Sequence, residues 1–297
     1  MPTRNFLRWT HLLAFLLSAV LIRWSVVPSL GAEVHLELVH YSLLVLSVLC
    51  IAVGGYIITD FFNLTTDSIN TPDKVWIGKT SSQSRALQLY FGLNLTGLLL
   101  AFYLFLSLPF HQIGFVFYAV VFSSLAIIGY AIWWKKIAVF GNVLISVLVG
   151  LGIFSLGISL IDDVQNPVIG FIISAYSLLA FLLNLAKTLI QNILNTKGDY
   201  YCDIKTLPIL IGKKRTNYVI FSLLIFTVLL LLSVTLTYML SIKLLVFYVF
   251  ALIILPLIFI SKKVLAASSK KEYKQISFHL ELVCLSAIGS MLTFIIL

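Results

Sequence analysis

The 297-residue chain is 61% hydrophobic and only 10% charged, with a formal net charge of +9 at pH 7. Ordinary globular domains are roughly half apolar and a quarter charged, so a water-facing surface cannot be built from this composition and a soluble fold is excluded. The basic balance does not point to nucleic acid either, because that would need a basic face on a soluble module.

Apolar stretches of about 20 residues, enough to cross roughly 30 Å of hydrocarbon, recur from one end to the other. A span in lipid must satisfy its own backbone hydrogen bonds, so each is expected to be a helix. Taken in order, the first span covers 11–28. Arg4 and Arg8 precede it as in a signal peptide, but its length and the spans behind it predict a retained helix. A second span at 35–59 runs into a polar connection at 60–85. Spans at 86–108 and 113–134 follow, and the pair Lys135 and Lys136 leads into 137–160. The sixth span, 167–190, opens the longest polar connection, 187–215; spans at 216–239, 243–261 and 277–297 complete the chain, with a basic connection at 261–276. None of these connections has room for a core of its own. The expected fold is an all-α membrane protein, about nine transmembrane helices in one polytopic domain covering 1–297.

Orientation follows from Lys and Arg. With the N-terminus in the cytoplasm, every basic residue except Arg23 and Lys243 lies at or near the cytoplasmic face, the asymmetry of a positive-inside topology. The expected location is a bacterial cytoplasmic membrane, with the N-terminus and the polar connections inside and the C-terminus outside. Cys50, Cys202 and Cys284 lie far apart and match no metal or redox spacing; Cys50 and Cys284 are expected to be small core residues.

The span midplanes are nearly free of ionisable groups, which weighs against a proton-coupled transporter. Arg23, Glu37, His279 and Glu281 sit near helix ends and can snorkel toward water. Polar chemistry collects instead on the cytoplasmic rim. After span two, Asp60, Asn63 and Asp67 fall at i, i+3 and i+7; after span six, Asn192, Asn195 and Asp199 repeat that spacing, with Asp203 four further on. On a continuous helix such positions share one face. Each cluster is followed by a proline and a basic step, Pro72 with Lys74 and Pro208 with Lys213. Interfacial caps and turns account for one cluster of this kind, but two with matched spacing, side and flanks point to paired units facing a common cavity. Oxygen ligands with lysines nearby suit Mg²⁺ bridged to a phosphorylated ligand.

At these residues the chain resembles the UbiA superfamily of intramembrane prenyltransferases. Thr59, Asp60, Asn63 and Asp67 fall on that family's NDxxDxxxD motif, and Asn195 and Asp199 on its DxxxD motif. RWTHLL from Arg8, GYIITD from Gly55, INTPDK from Ile69, the turn from Lys136 to Asn142 and KTLPILIG from Lys205 extend the likeness over nearly the whole chain. The departures are Thr59 and His11 where the family has Asn, and Asn63 and Asn195 where it has metal-binding Asp. Each exchange of Asp for Asn removes a full charge and leaves a neutral carbonyl oxygen.

The resemblance implies nine helices around a central cavity and transfer of an isoprenyl group from a polyprenyl diphosphate to a lipid-soluble or membrane-associated acceptor. It implies Mg²⁺ held by Asp60, Asn63, Asp67, Asn195, Asp199 and Asp203, with Asp67 and Asp199 as the catalytic pair. Arg8, His11, Lys74, Lys135, Asn142 and Lys205 are the expected substrate-binding residues, and Phe61, Phe62, Tyr130, Tyr176, Tyr200 and Tyr201 are expected cavity-wall aromatics. Restoring Asp at 63 and at 195 is expected to strengthen Mg²⁺ binding. The stretch from INTPDK to IGKT looks most like members that use glycerol-phosphate acceptors. Two other readings stand beside the enzyme: a catalytically silent isoprenoid- or lipid-binding scaffold, which the Asn substitutions favour, and a small-solute transporter.

Overall fold

The computed structural model describes residues 9–161, 167–238 and 243–296. Among these, nine helices are long and apolar enough to cross a membrane. We label the helices in chain order: α1 (Trp9–Ser29), α2 (Leu38–Phe62), the short α3 (Leu64–Asn70), α4 (Gln83–Ser107), α5 (Phe110–Ile132), α6 (Phe140–Ile158), α7 (Pro167–Tyr201), the short α8 (Leu207–Ile211), α9 (Lys213–Tyr238), α10 (Lys243–Ala266) and α11 (Lys270–Gly289). The chain is thus an integral multi-pass helical membrane protein, as its composition demands.

Local signals set several boundaries. Ser82 caps α4 by accepting from the Arg85 N–H at 3.3 Å. At α11, Ser269 and Glu272 form a reciprocal capping box that satisfies the first backbone donors. Gly212, at φ +83°, makes the left-handed turn between α8 and α9 that a residue with a Cβ would resist.

Large apolar side chains such as Phe91, Leu95, Leu125 and Phe247 lie on the outside of the bundle, as lipid-facing positions require. Inside, small residues bring backbones together. Ser47 on α2 donates to the Gly97 carbonyl on α4 at 2.7 Å, and a Cβ at Gly150 on α6 would stand 2.9 Å from the Ser177 carbonyl on α7. Buried hydrogen bonds add cross-links. Ser124 on α5 donates to Asn94 on α4 at 2.7 Å, Asn184 on α7 to Ser146 on α6 at 3.1 Å, and Tyr273 on α11 to Asn217 on α9 at 3.1 Å. One apolar cluster joins α2, α4 and α5 and takes in Trp76 and Ile77 from the connection after α3. A larger cluster holds α1, α7, α9, α10 and α11 together.

Two features differ from the sequence expectation. The helix of span six does not stop near 190. It runs unbroken for 35 residues, about 52 Å at 1.5 Å per residue against roughly 30 Å of hydrocarbon, so its final turns project beyond the apolar layer. The helix of span two does the opposite: α2 ends at Phe62, Asn63 adopts φ −100°, ψ 4°, and α3 starts afresh at Leu64. Asp60 and Asp67 therefore sit on two helices that meet at Asn63, and the face expected to run straight through 60, 63 and 67 is bent there.

Candidate active site

The projecting end of α7, the α2–α3 break and the connection between α5 and α6 meet at one end of the bundle. Lys135, in that connection, donates from Nζ to Asn63 Oδ1 at 2.6 Å and to the Phe62 carbonyl at 2.8 Å. Its partners are the two backbone and side-chain oxygens exposed where α2 breaks, so the kink and the lysine explain each other. Burial is the main cause that pushes the Lys135 ammonium down to about 8, with Lys136 adding to it, while Asp67, Cys202 and Asp199 hold its charge up. The residue remains cationic at neutral pH.

Asp67 and Asp199, 132 positions apart in sequence, both act on this ammonium and repel one another. Asp199 is only 6% exposed, and burying a charge is costly unless something balances it. Burial, with the Asp67 carboxylate adding to it and Lys135 opposing, pushes the Asp199 carboxyl up to about 7, and a cation bound beside the two carboxylates would hold it ionised. Among the described residues no three His, Cys, Asp or Glu side chains make a ready metal cage. Two carboxylates with an amide oxygen nearby fit a different kind of site: hard oxygen ligands for a Mg²⁺ that keeps waters and shares its shell with phosphate.

The α3 helix is held against α7 at backbone distance. Asn70 donates from Nδ2 to the Asn195 carbonyl at 3.0 Å and accepts the Gly198 N–H on Oδ1 at 2.8 Å. A Cβ at Gly198 would collide with Asn70 Nδ2 and stand 2.7 Å from the Thr66 carbonyl oxygen, so no other residue fits there without moving α3.

The remaining expected site residues are distributed as follows. Asp60 accepts from the Trp76 indole at 3.0 Å, which ties it to the apolar cluster beside α2. Asn142 accepts from Asn192 at 2.9 Å and anchors α6 to α7. Asp203 lies past the end of α7 in a left-handed turn, φ +53°, and is exposed, as is Lys205. His11 Nε2 meets Lys187 Nζ at 3.2 Å, twelve residues or about 18 Å down α7 from Asp199. Arg8 and the Lys74 side chain fall outside the described residues.

Three expectations about surrounding groups are corrected. Tyr200 and Tyr201, 72% and 69% exposed, do not line a cavity wall, because the last turn of α7 buries Gly198 and Asp199 and turns its next residues outward. Tyr176 bonds Ser290 at 2.8 Å, and its 23-residue separation from Asp199 places it about 35 Å away along α7. Glu281 does not snorkel freely but pairs with Lys187 at 2.6 Å. Sequence reading missed the roles of Asn70, Gly198 and Trp76. The first lay within the INTPDK stretch, but its partners are 125 and 128 residues away, and no local pattern reports such a contact.

The family model of the UbiA prenyltransferase family matches residues 12–283. The digeranylgeranylglyceryl phosphate synthase of Saccharolobus solfataricus is 28% identical over 272 residues, covering 90% of this chain and 87% of the relative. The enzyme of the same name from Thermococcus kodakarensis is 31% identical over 166 residues, covering 56% of this chain and 54% of the relative. Among solved structures, the apo UbiA homologue of Aeropyrum pernix K1 superposes with a TM-score of 0.67 at 16% identity, covering 100% of this chain and 99% of that one. The UbiA homologue of Archaeoglobus fulgidus bound to GPP and Mg²⁺ gives 0.66 at 18% identity, with 100% of both chains covered.

Proposed function

The chain belongs to the UbiA prenyltransferase family, and on that premise we propose that it transfers an isoprenyl group from an allylic polyprenyl diphosphate to a hydroxyl of a glyceryl-phosphate lipid. The observation that carries this reading is the convergence of Asp67, Asp199 and Lys135 at one end of the bundle. Lys135 would bind the diphosphate and offset the charge that grows on it as the C1–O bond breaks and the electron pair leaves with the diphosphate. Asp67 and Asp199 would hold Mg²⁺, assisted by Asn63 and Asn195. Bound Mg²⁺ supplies further neutralisation of the leaving diphosphate. The acceptor oxygen forms the new bond to C1, and its proton passes to the released diphosphate or to water. The choice of acceptor rests on the relatives named digeranylgeranylglyceryl phosphate synthase.

The test is transfer of radiolabelled geranylgeranyl diphosphate by the purified protein in liposomes, with and without Mg²⁺, to a glyceryl-phosphate lipid or to an aromatic quinone precursor. Mg²⁺-dependent labelling of the glyceryl-phosphate lipid is expected. Labelling of the aromatic acceptor alone would overturn the acceptor. Absence of both transfer and pyrophosphate release would turn the reading to the silent isoprenoid-binding scaffold.

The same reading places the N-terminus and the site connections in the cytoplasm, where the basic residues collect. Cysteines placed singly at 79 and 205 are expected to react with an impermeant maleimide only from the cytoplasmic side. Labelling of the two from opposite sides would invalidate the topology.

A further inference from the structure

We propose that Asn70 is the positioning residue that sets the spacing between the Asp67 and Asp199 carboxylates, with Gly198 as the surface it locks onto. This rests on the reading of those carboxylates as the metal-holding pair.

Asp67 lies on α3 and Asp199 on α7, so their separation needs a restraint between the two helices. The helix that carries Asp67 cannot supply one by itself. It has seven residues, far fewer than the roughly 12–15 at which an isolated helix becomes even marginal in water. The restraint lies one turn beyond Asp67. There the Asn70 amide spans the main chain of α7, giving a hydrogen bond to Asn195 and taking one from Gly198. Asn70 is 8% exposed, so both bonds are sheltered from competing water. The contact point is adjacent to Asp199 in sequence and touches the main chain of Asn195 as well. Fixing it fixes the register of both acidic segments.

Only an amide does this. The bridge needs one donor and one acceptor on the same planar group, which Asn supplies and an ionised Asp does not. Gly198 completes the fit because a Cβ would collide with both the Asn70 amide and the Thr66 carbonyl. Thr66 precedes Asp67, so any residue larger than glycine pushes the carboxylate-bearing helix directly. Asn70 touches no reacting atom in this scheme and acts through Asp67 and Asp199.

The experiment measures Mn²⁺ binding by electron paramagnetic resonance, with a non-hydrolysable geranylgeranyl thiolodiphosphate present, in wild type, Asn70→Ala, Gly198→Ala and Asp67→Ala reconstituted in nanodiscs. Asn70→Ala and Gly198→Ala are each expected to weaken Mn²⁺ binding by about 10- to 100-fold, as loss of a supporting contact to a ligand does. Excess Mg²⁺ is expected to restore much of their turnover, which a merely structural defect would not allow. Gly198→Ala disturbs the same contact from the α7 side, so the two variants test it independently and the proposal stays falsifiable if one of them fails to fold. Wild-type Mn²⁺ affinity in either folded variant, alongside loss of binding in Asp67→Ala, would overturn the positioning role alone. Wild-type affinity in Asp67→Ala would instead remove the metal-site reading on which it rests.

Discussion

Asp67→Ala and Asp199→Ala are each expected to cut Mg²⁺-dependent prenyl transfer by at least about 10²- to 10³-fold, the loss typical of deleting one preorganised electrostatic group. Stability is expected to move the other way when the Asp199 charge is removed without loss of shape. Asp199 is buried, and the groups acting on it include the Asp67 carboxylate, which opposes its charge. Without a bound cation this arrangement costs folding free energy, as strained functional sites commonly do. Asp199→Asn keeps the shape and removes the charge, so the ligand-free variant is expected to melt at a higher temperature than wild type. Adding Mg²⁺ with a prenyl thiolodiphosphate should then raise the melting temperature of wild type, by linkage, and leave that of Asp199→Asn nearly unchanged. Thermal unfolding in detergent reads both effects. A lower melting temperature for the ligand-free Asp199→Asn protein would show that the carboxylate is a structural group and not a strained site residue.

The second large effect concerns Lys135. Lys135→Met keeps most of the aliphatic stem and removes the ammonium, and it is expected to lower kcat/KM for the prenyl diphosphate by about 10²-fold. Asn63→Asp approaches the same contact from the other side. The Asn63 oxygen already receives the Lys135 ammonium at 2.6 Å, so a carboxylate there would form an ion pair with the lysine and withdraw its charge from the substrate. The sequence alone treats Asn63→Asp and Asn195→Asp as equivalent restorations of a metal ligand. The structure separates them: Asn195→Asp is expected to tighten Mg²⁺ binding, and Asn63→Asp to give a smaller gain with a higher KM for the diphosphate. Steady-state kinetics over a Mg²⁺ titration distinguish the two. Equal tightening by both variants, with no change in KM, would show that Lys135 is not engaged at position 63 in the working protein.

Comparison of the nine expected spans with the nine long apolar helices among the described residues shows why the spans were readable from the chain. Each span is dictated by a local quantity, the run of apolar residues needed to cross the bilayer, and the alternation of basic connections depends only on their order. The family resemblance was legible for a related reason, since motif residues such as Asp60, Asp67 and Asp199 sit at fixed offsets along continuous chain. Helix-face geometry was legible only where the helix stayed whole. On α7 the positions 192, 195 and 199 keep their common face because α7 continues to Tyr201. After span two the helix bends at Asn63, where a lysine 72 positions away takes the side-chain oxygen and the neighbouring Phe62 carbonyl.

What the sequence determined by itself, then, is the class of molecule, the number and order of its membrane helices and the family to which its polar rim belongs. The class and the helices follow from composition and apolar period, and the family from the likeness of the motif residues; all of these are local features of the chain. Tertiary structure alone decided which oxygens face one another. It turned Asp60 toward Trp76, set Tyr176 against Ser290, paired Lys187 with Glu281 and set Asn70 against Gly198. Each of these is a contact between segments far apart in the chain, fixed by how closely helices approach and by the need of every buried polar group to find a partner. Neither condition is written in the local pattern of residues.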